Sequence, residues 1–275
     1  MLGNAVFRYF SESPGFETIG TLRSGRTLPY FSERQRRNLL VNVDVENFDS
    51  LSFAFATVKP DVVINCVGLV KQLASADDPL QALPINALLP HRLARLADVA
   101  GARLIHVSTD CVFSGSHGGY RETDFPDAND LYGRSKYLGE VVDSLHAITL
   151  RTSIIGHELE GNHGLVNWFL SQEGTIRGFT KALFSGISTV ELARVIRDFV
   201  LPDPQLHGLY QVASLPINKN DLLHLLAATY GKNIKIVPDS QLVIDRSLDG
   251  ARFHEATGYL SPEWPELVTK MHEFG

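Results

Sequence analysis

Short apolar runs alternate with longer amphipathic ones along the first 150 or so residues, and this alternation leaves the chain few folds to choose from. Residues 17–22, 39–43, 62–66, 103–107 and 146–150 read as strands. Val62-Val63-Ile64 is apolar at successive positions, as suits a strand covered on both faces. Residues 4–11, 47–58, 81–100 and 132–144 read as helices between them; Leu138, Val141, Val142 and Leu145 extend the last at helical spacing. Strand–helix alternation predicts an α/β fold, with a parallel sheet and helices on both faces. After Leu150 the pattern loosens. Residues 189–200 predict a helix with Thr189 as N-cap, 209–212 and 234–237 predict strands, 219–230 a helix and 262–274 a final helix. The expected division is a domain over 1–155 and a smaller, partly interleaved region over 156–275, some of whose segments return to the first.

Composition removes several classes of function. The net charge is −6, which disfavours nonspecific nucleic-acid binding. No apolar run is long enough for a membrane span, and no basic-then-apolar signal segment opens the chain. Two cysteines, Cys66 and Cys111, make no disulfide framework, so a reducing cytoplasm is the simplest home. Among ten histidines none forms a usual ligand spacing; His157 and His163 flank a glycine-containing loop but are poor ligands, and no metal is expected.

Tyr132 and Lys136 stand four residues apart, one turn along a helix face. An ammonium beside a phenol favours phenolate, which would tune the tyrosine to exchange a proton with a carbonyl oxygen. Ligands of open parallel sheets bind beyond the carboxyl ends of the strands. Gly68, Thr109 and Thr152 all follow predicted strands directly, so Thr109 would reach the same oxygen. Carbonyl/alcohol interconversion also needs a hydride carrier, because no side chain supplies hydride. The plainer alternative makes Tyr132 an interfacial aromatic and Lys136 a solvated charge.

Three segments carry a resemblance: Val107-Ser108-Thr109-Asp110-Cys111-Val112-Phe113-Ser114-Gly115, Tyr132-Gly133-Arg134-Ser135-Lys136 and Leu150-Arg151-Thr152-Ser153. Together they resemble the extended short-chain dehydrogenase/reductases, and within them the dTDP-4-dehydrorhamnose reductase-like sugar-nucleotide reductases. The resemblance implies a Rossmann-like doubly wound sheet, a nicotinamide cofactor and a nucleotide-sugar substrate. It implies that Thr109 polarises a keto oxygen, that Tyr132 protonates it, and that Lys136 lowers the tyrosine pKa and holds the nicotinamide ribose. Asn86 matches a family asparagine, or is a polar residue on a helix face after Pro84.

This sequence departs from the family at two places. Cys111 stands where tyrosine is common; packing is the favoured explanation, reshaping of the pocket the other. The family opens with a strand and a G-x-x-G-x-x-G turn, of which only Gly3 has a match here. The first strand is central in the Rossmann order, so its loss would leave two neighbouring strands each short of a partner. The expectation is a misassigned start, with Met1 internal to the glycine loop. Upstream in-frame DNA encoding an apolar strand and two glycines supports it; a stop codon directly upstream sinks it.

NAD sites set an acid at the end of the second strand. Here Arg23 and Arg26 follow residues 17–22, which favours NADPH, with NADH as the alternative. Both arginines, with Arg34, Arg36 and Arg37, also read as solvated loop charges. Asp44 could accept from the adenine amine, or cap a helix. Gly68, in Val67-Gly68-Leu69-Val70-Lys71-Gln72, permits close approach to the cofactor. Lys71, Phe179 and Lys181 are candidate substrate ligands, Phe179 for stacking a pyrimidine and Lys181 for the diphosphate. Trp168 and Phe169 read as core.

The expected activity is NADPH-dependent reduction of a 4-keto-6-deoxy nucleotide sugar, supplying deoxysugar for surface polysaccharide. The alternatives are nucleotide-sugar epimerisation and a noncatalytic nucleotide-binding regulatory subunit. Dehydration is disfavoured, because Cys111 stands where a second acid would be needed. A homodimer is expected by family analogy.

Overall fold

The computed structural model describes residues 1–71 and 74–275, so Gln72 of the loop motif lies outside the described residues. The chain is α/β with parallel sheets. Helix α1 (Leu2–Ser11) leads into β1 (Gly20–Leu22), which pairs in parallel with β2 (Leu39–Val41). Next come β3 (Val62–Asn65), β4 (Arg103–Thr109) and β5 (Ala147–Thr152). They form a four-stranded sheet with Gly208–Gln211, in the order Gly208–Gln211, β5, β4, β3, and every pair is parallel. Among the described residues the two sheets share no strand pairing. Among the described residues β1 and β3 therefore each keep one unpaired edge.

Alternation along the strands builds two cores. Ile105, Val107, Ile148 and Leu150 face one way, against Leu2, Val6 and Phe10 of α1 and against Leu192, Ile196, Leu267 and Val268 from the second half. Leu104 and Ala147 face the other way, against Leu51, Leu89, Leu93 and Ala97. Helices thus cover both faces, as an all-parallel sheet requires. Phe169 is buried and Trp168 packs against the same core, so both residues are structural.

The helix over Phe48–Val58 is capped by Asn47, whose side chain accepts from Asp49 N and Ser50 N. Asp44 is thereby released from the capping role. The helix predicted from Thr189 starts there, but Ser188 caps it by accepting from Glu191 N. Its tail, Ile196–Val200, widens to a π-helix.

The helix predicted over 132–144 is cut short. It runs Leu131–Leu138 and stops because tertiary contacts override the apolar spacing. A Cβ on Gly139 would collide with the carbonyl of Asn86, so the chain can lie this close only with glycine. Glu140 then turns inward to Arg151 with bonds of 2.7 Å to both carboxylate oxygens, and Ser108 adds a third. Val141 is buried in this extended stretch, while Leu138, Val142 and Leu145 stay exposed. Among the described residues no helix is long and apolar enough to cross a membrane.

Candidate active site

β4 delivers Thr109 to the carboxyl edge of the sheet. The Thr109 hydroxyl accepts from Cys111 N at 3.2 Å, capping the turn Asp110–Val112, and donates to Asp110 at 3.1 Å. The Tyr132 helix presses on that turn. Gly133 makes the approach possible, because a Cβ there would strike the Cys111 carbonyl and the Ala128 side chain. Asp130 caps the helix, accepting from Gly133 N at 2.8 Å. The result sets the Tyr132 phenol beside Thr109, close enough for the threonine hydroxyl to act on it.

The electrostatics differ from the sequence expectation. Lys136 does not depress the Tyr132 pKa. Its Nζ donates to the Val107 carbonyl at 3.0 Å instead. Burial raises the tyrosine pKa, and Cys111, Asp110 and Asp130 push the same way. Tyr132 is therefore a neutral phenol at working pH, the form that can give a proton. The lysine is the perturbed partner: burial lowers its pKa from 10.5 to about 8, with Glu140 opposing the drop.

Asn86 is fully buried in the π-helical segment Leu83–Leu88 and is no surface residue. Its Oδ1 accepts from Leu69 N at 2.9 Å and its Nδ2 donates to Ser135 at 3.2 Å. It thus ties the loop after β3 to the Tyr132 helix. π-segments often mark such functional positions.

Beside this corner lies a cleft of about 180 Å³, lined by Thr21, Arg23, Asp44, Glu46, Gly68 and Ile85 among others. Three of the residues singled out from sequence, Arg23, Asp44 and Gly68, thus meet on one cavity. A Cβ on Gly68 would sit 3.5 Å from Asn86 Oδ1 and 3.9 Å from Lys136 Nζ, so this end of the cleft adjoins both side chains. Glu46 went unrecognised in the sequence.

The remaining candidates are placed elsewhere. Gly3 is exposed on the first turn of α1, where a Cβ would meet only Cys66, at 3.6 Å. Arg26 pairs with Glu160 at 2.5 Å and Arg37 with Glu33 at 3.3 Å; Arg36 donates to the Leu28 and Phe31 carbonyls. Thr152 is buried beside Thr109 in register. Lys71 reaches the site but pairs with Asp130 at 2.5 Å. Phe179 ends the strand Thr175–Phe179, and Lys181 is exposed in the turn that follows; neither side chain bonds Thr109, Tyr132 or Lys136. His157 bonds Tyr230 at 2.8 Å, which accounts for one of the two histidines weighed as ligands.

The sequence profile of the RmlD substrate binding domain matches residues 1–182. Mouse (Mus musculus) methionine adenosyltransferase 2 subunit beta is 28% identical over 163 residues, 58% of this chain and 46% of that protein. dTDP-4-dehydrorhamnose reductase of Mycobacterium tuberculosis H37Rv is 44% identical over 85 residues, 29% of this chain and 28% of that protein. The matched part therefore spans about half the length of the first relative and less of the second. Among solved structures, dTDP-4-dehydrorhamnose reductase from Bacillus anthracis in complex with NADP superposes with a TM-score of 0.76 at 18% identity, covering 94% of this chain and 100% of that one. The Bordetella bronchiseptica enzyme WbmG in complex with NAD and UDP gives 0.78 at 17%, covering 100% and 91%.

Proposed function

This chain belongs to the RmlD substrate binding domain family, and on that premise we propose that it reduces the keto group of a 4-keto-6-deoxy nucleotide sugar with NADPH. The observation that carries this proposal is the meeting of Thr109, a neutral Tyr132 and Lys136 beside the cleft floored by Gly68. NADPH in that cleft would supply hydride. Arg23 would take its 2′-phosphate, Asp44 or Glu46 its adenosine, and Lys136 its nicotinamide ribose. Tyr132 gives its proton to the substrate oxygen and Thr109 orients that oxygen by a hydrogen bond. Lys136, with a pKa near 8, is suited to pass a proton onward. Deoxysugar supply in the cytoplasm, by a homodimer, is the setting we propose from the family.

The test is NADPH oxidation by the full chain with a dTDP-4-keto-6-deoxy sugar. Tyr132→Phe should cut kcat by about 10²–10⁴-fold with NADPH affinity unchanged. Turnover of that variant at the wild-type rate would remove Tyr132 as the acid. Interconversion of sugars without net NADPH consumption would indicate an epimerase. A second reading is favoured by the matches to methionine adenosyltransferase 2 subunit beta: a nucleotide-binding subunit of another enzyme. Nucleotide binding without turnover, with copurification of a second enzyme, would support it.

A further inference from the structure

Lys71 is one of the substrate ligands expected from sequence, but its charge is taken. Asp130 accepts from Gly133 N through one oxygen and from Lys71 through the other, at 2.8 Å and 2.5 Å. A different cation enters the same corner from the second half. The segment Ile244–Asp245 pairs with Ala182–Phe184, and the next residue, Arg246, donates its own N–H to the Leu183 carbonyl at 3.1 Å. Asp245 N bonds the Gly115 carbonyl at 2.8 Å, and Tyr120 and Leu248 form a bridge. The segment is therefore fastened to the loop that follows Thr109. Arg246 leans on Gly115, and its Nε donates to the Phe113 carbonyl at 2.9 Å.

That single bond fixes the plane of the guanidinium. Among the described residues its two outer nitrogens have no hydrogen-bond partner, and no carboxylate lies within ion-pair distance. Yet the charge is felt at Asp110, Cys111 and Asp130, the groups that surround Thr109 and Tyr132. A half-buried arginine held by Nε, with both outer nitrogens open, is built to take an oxyanion in a fork.

We propose that Arg246 is the residue that binds an oxyanion of the substrate beside the sugar ring. This rests on the nucleotide-sugar reading above. Two sources carry such an oxyanion: the diphosphate joined to C1, across the ring from a 4-keto carbon, and, in a nucleotide sugar that keeps an oxidised C6 in place of the 6-deoxy methyl, a carboxylate on the carbon next to it.

The experiment uses the full chain loaded with NADPH. KM and kcat for a neutral and a carboxylated nucleotide sugar, and Kd for dTDP and UDP alone, are compared between wild type, Arg246→Gln and Arg246→Lys. Arg246→Gln should raise KM about tenfold or more while NADPH affinity holds and kcat changes less. Arg246→Lys, which keeps the charge, should recover part of the loss and serves as the folded control if the glutamine variant is unstable. Weaker dTDP or UDP binding in Arg246→Gln assigns the oxyanion to the diphosphate; a loss confined to the carboxylated sugar assigns it to the sugar. Wild-type KM and nucleotide affinity in both variants would overturn the inference and leave Arg246 as a structural counterweight to buried Asp110. If wild type neither turns over nor binds any of these compounds, the reductase reading fails first and takes the inference with it.

Discussion

The Glu140–Arg151 pair offers a sharp test of the packing argument. Both side chains are nearly sealed from solvent, at 2% and 3% exposure. Arg151 grips both carboxylate oxygens at 2.7 Å, Ser108 donates to one of them, and the guanidinium lies 5.2 Å from the Phe113 ring. Arg151 Nη1 has no partner. Removing only the acid, in Glu140→Leu, strands a charge in an apolar layer, which costs about 3–5 kcal/mol. Removing both charges, in Glu140→Leu/Arg151→Met, exchanges the pair for apolar groups of similar bulk. That variant should return to within about 1–2 kcal/mol of wild type, because the desolvation of two ions is avoided as well. Urea unfolding of wild type, both single variants and the double variant measures the coupling, with an unchanged m-value as the check that the transition is the same one. A loss of less than about 1 kcal/mol in Glu140→Leu, or a double variant no better than the single, would refute the claim that this pair ends the Tyr132 helix by mutual need.

Lys136 should cost the fold stability at neutral pH. Its pKa falls from 10.5 unfolded to about 8 folded, so the unfolded chain holds the proton more tightly between these values. Stability therefore rises with pH from about 8 to 10.5, and the full penalty of about 3 kcal/mol applies below 8. Lys136→Met should be the more stable protein at pH 7 and lose that advantage by about pH 10.5; a pH-independent difference in thermal melts would contradict this. Gly68→Ala should leave the melting temperature within a degree or two, since its Cβ meets only ordinary contacts, yet weaken NADPH in a fluorescence titration. Equal NADPH affinity would mean the cleft is not the cofactor site. Arg23→Gln should reduce the preference for NADPH over NADH by about 10–100-fold in kcat/KM, the worth of a charged hydrogen bond; an unchanged ratio would clear Arg23 of that role.

Much of the architecture was legible because it is local. Apolar runs locate β1 to β5 within a few residues, and the carboxyl-edge rule alone brings Thr109, Tyr132 and Lys136 to one end of the sheet. What escaped was decided by distant partners. Nothing near Leu138 signals that Gly139 will abut the Asn86 carbonyl, or that Glu140 will find Arg151 one strand away. The direction of the tyrosine shift escaped for the same reason: spacing showed an ammonium nearby, whereas burial and the Val107 carbonyl decide the outcome. Asp130 could have been found, since an aspartate just before Leu131 is a standard N-cap signal. Arg246 could not, for no periodicity marks a loop arginine that reaches across the molecule.

The strand Gly208–Gln211 has a consequence for how the molecule can come apart. It lies beside β5, although some fifty residues of the second half precede it, and Arg8 of α1 donates to the carbonyl of Phe274 near the other end of the chain. A strand from residues after 156 thus lies on the edge of the sheet that β3 to β5 build. A protease nick at the exposed residues 160–163 would sever the backbone without freeing either piece. The fragments should copurify, melt as one unit and, once separated in denaturant, reassemble at a rate set by their concentration. Cut there, the chain becomes a split protein whose recovered activity reports whether its two pieces have met.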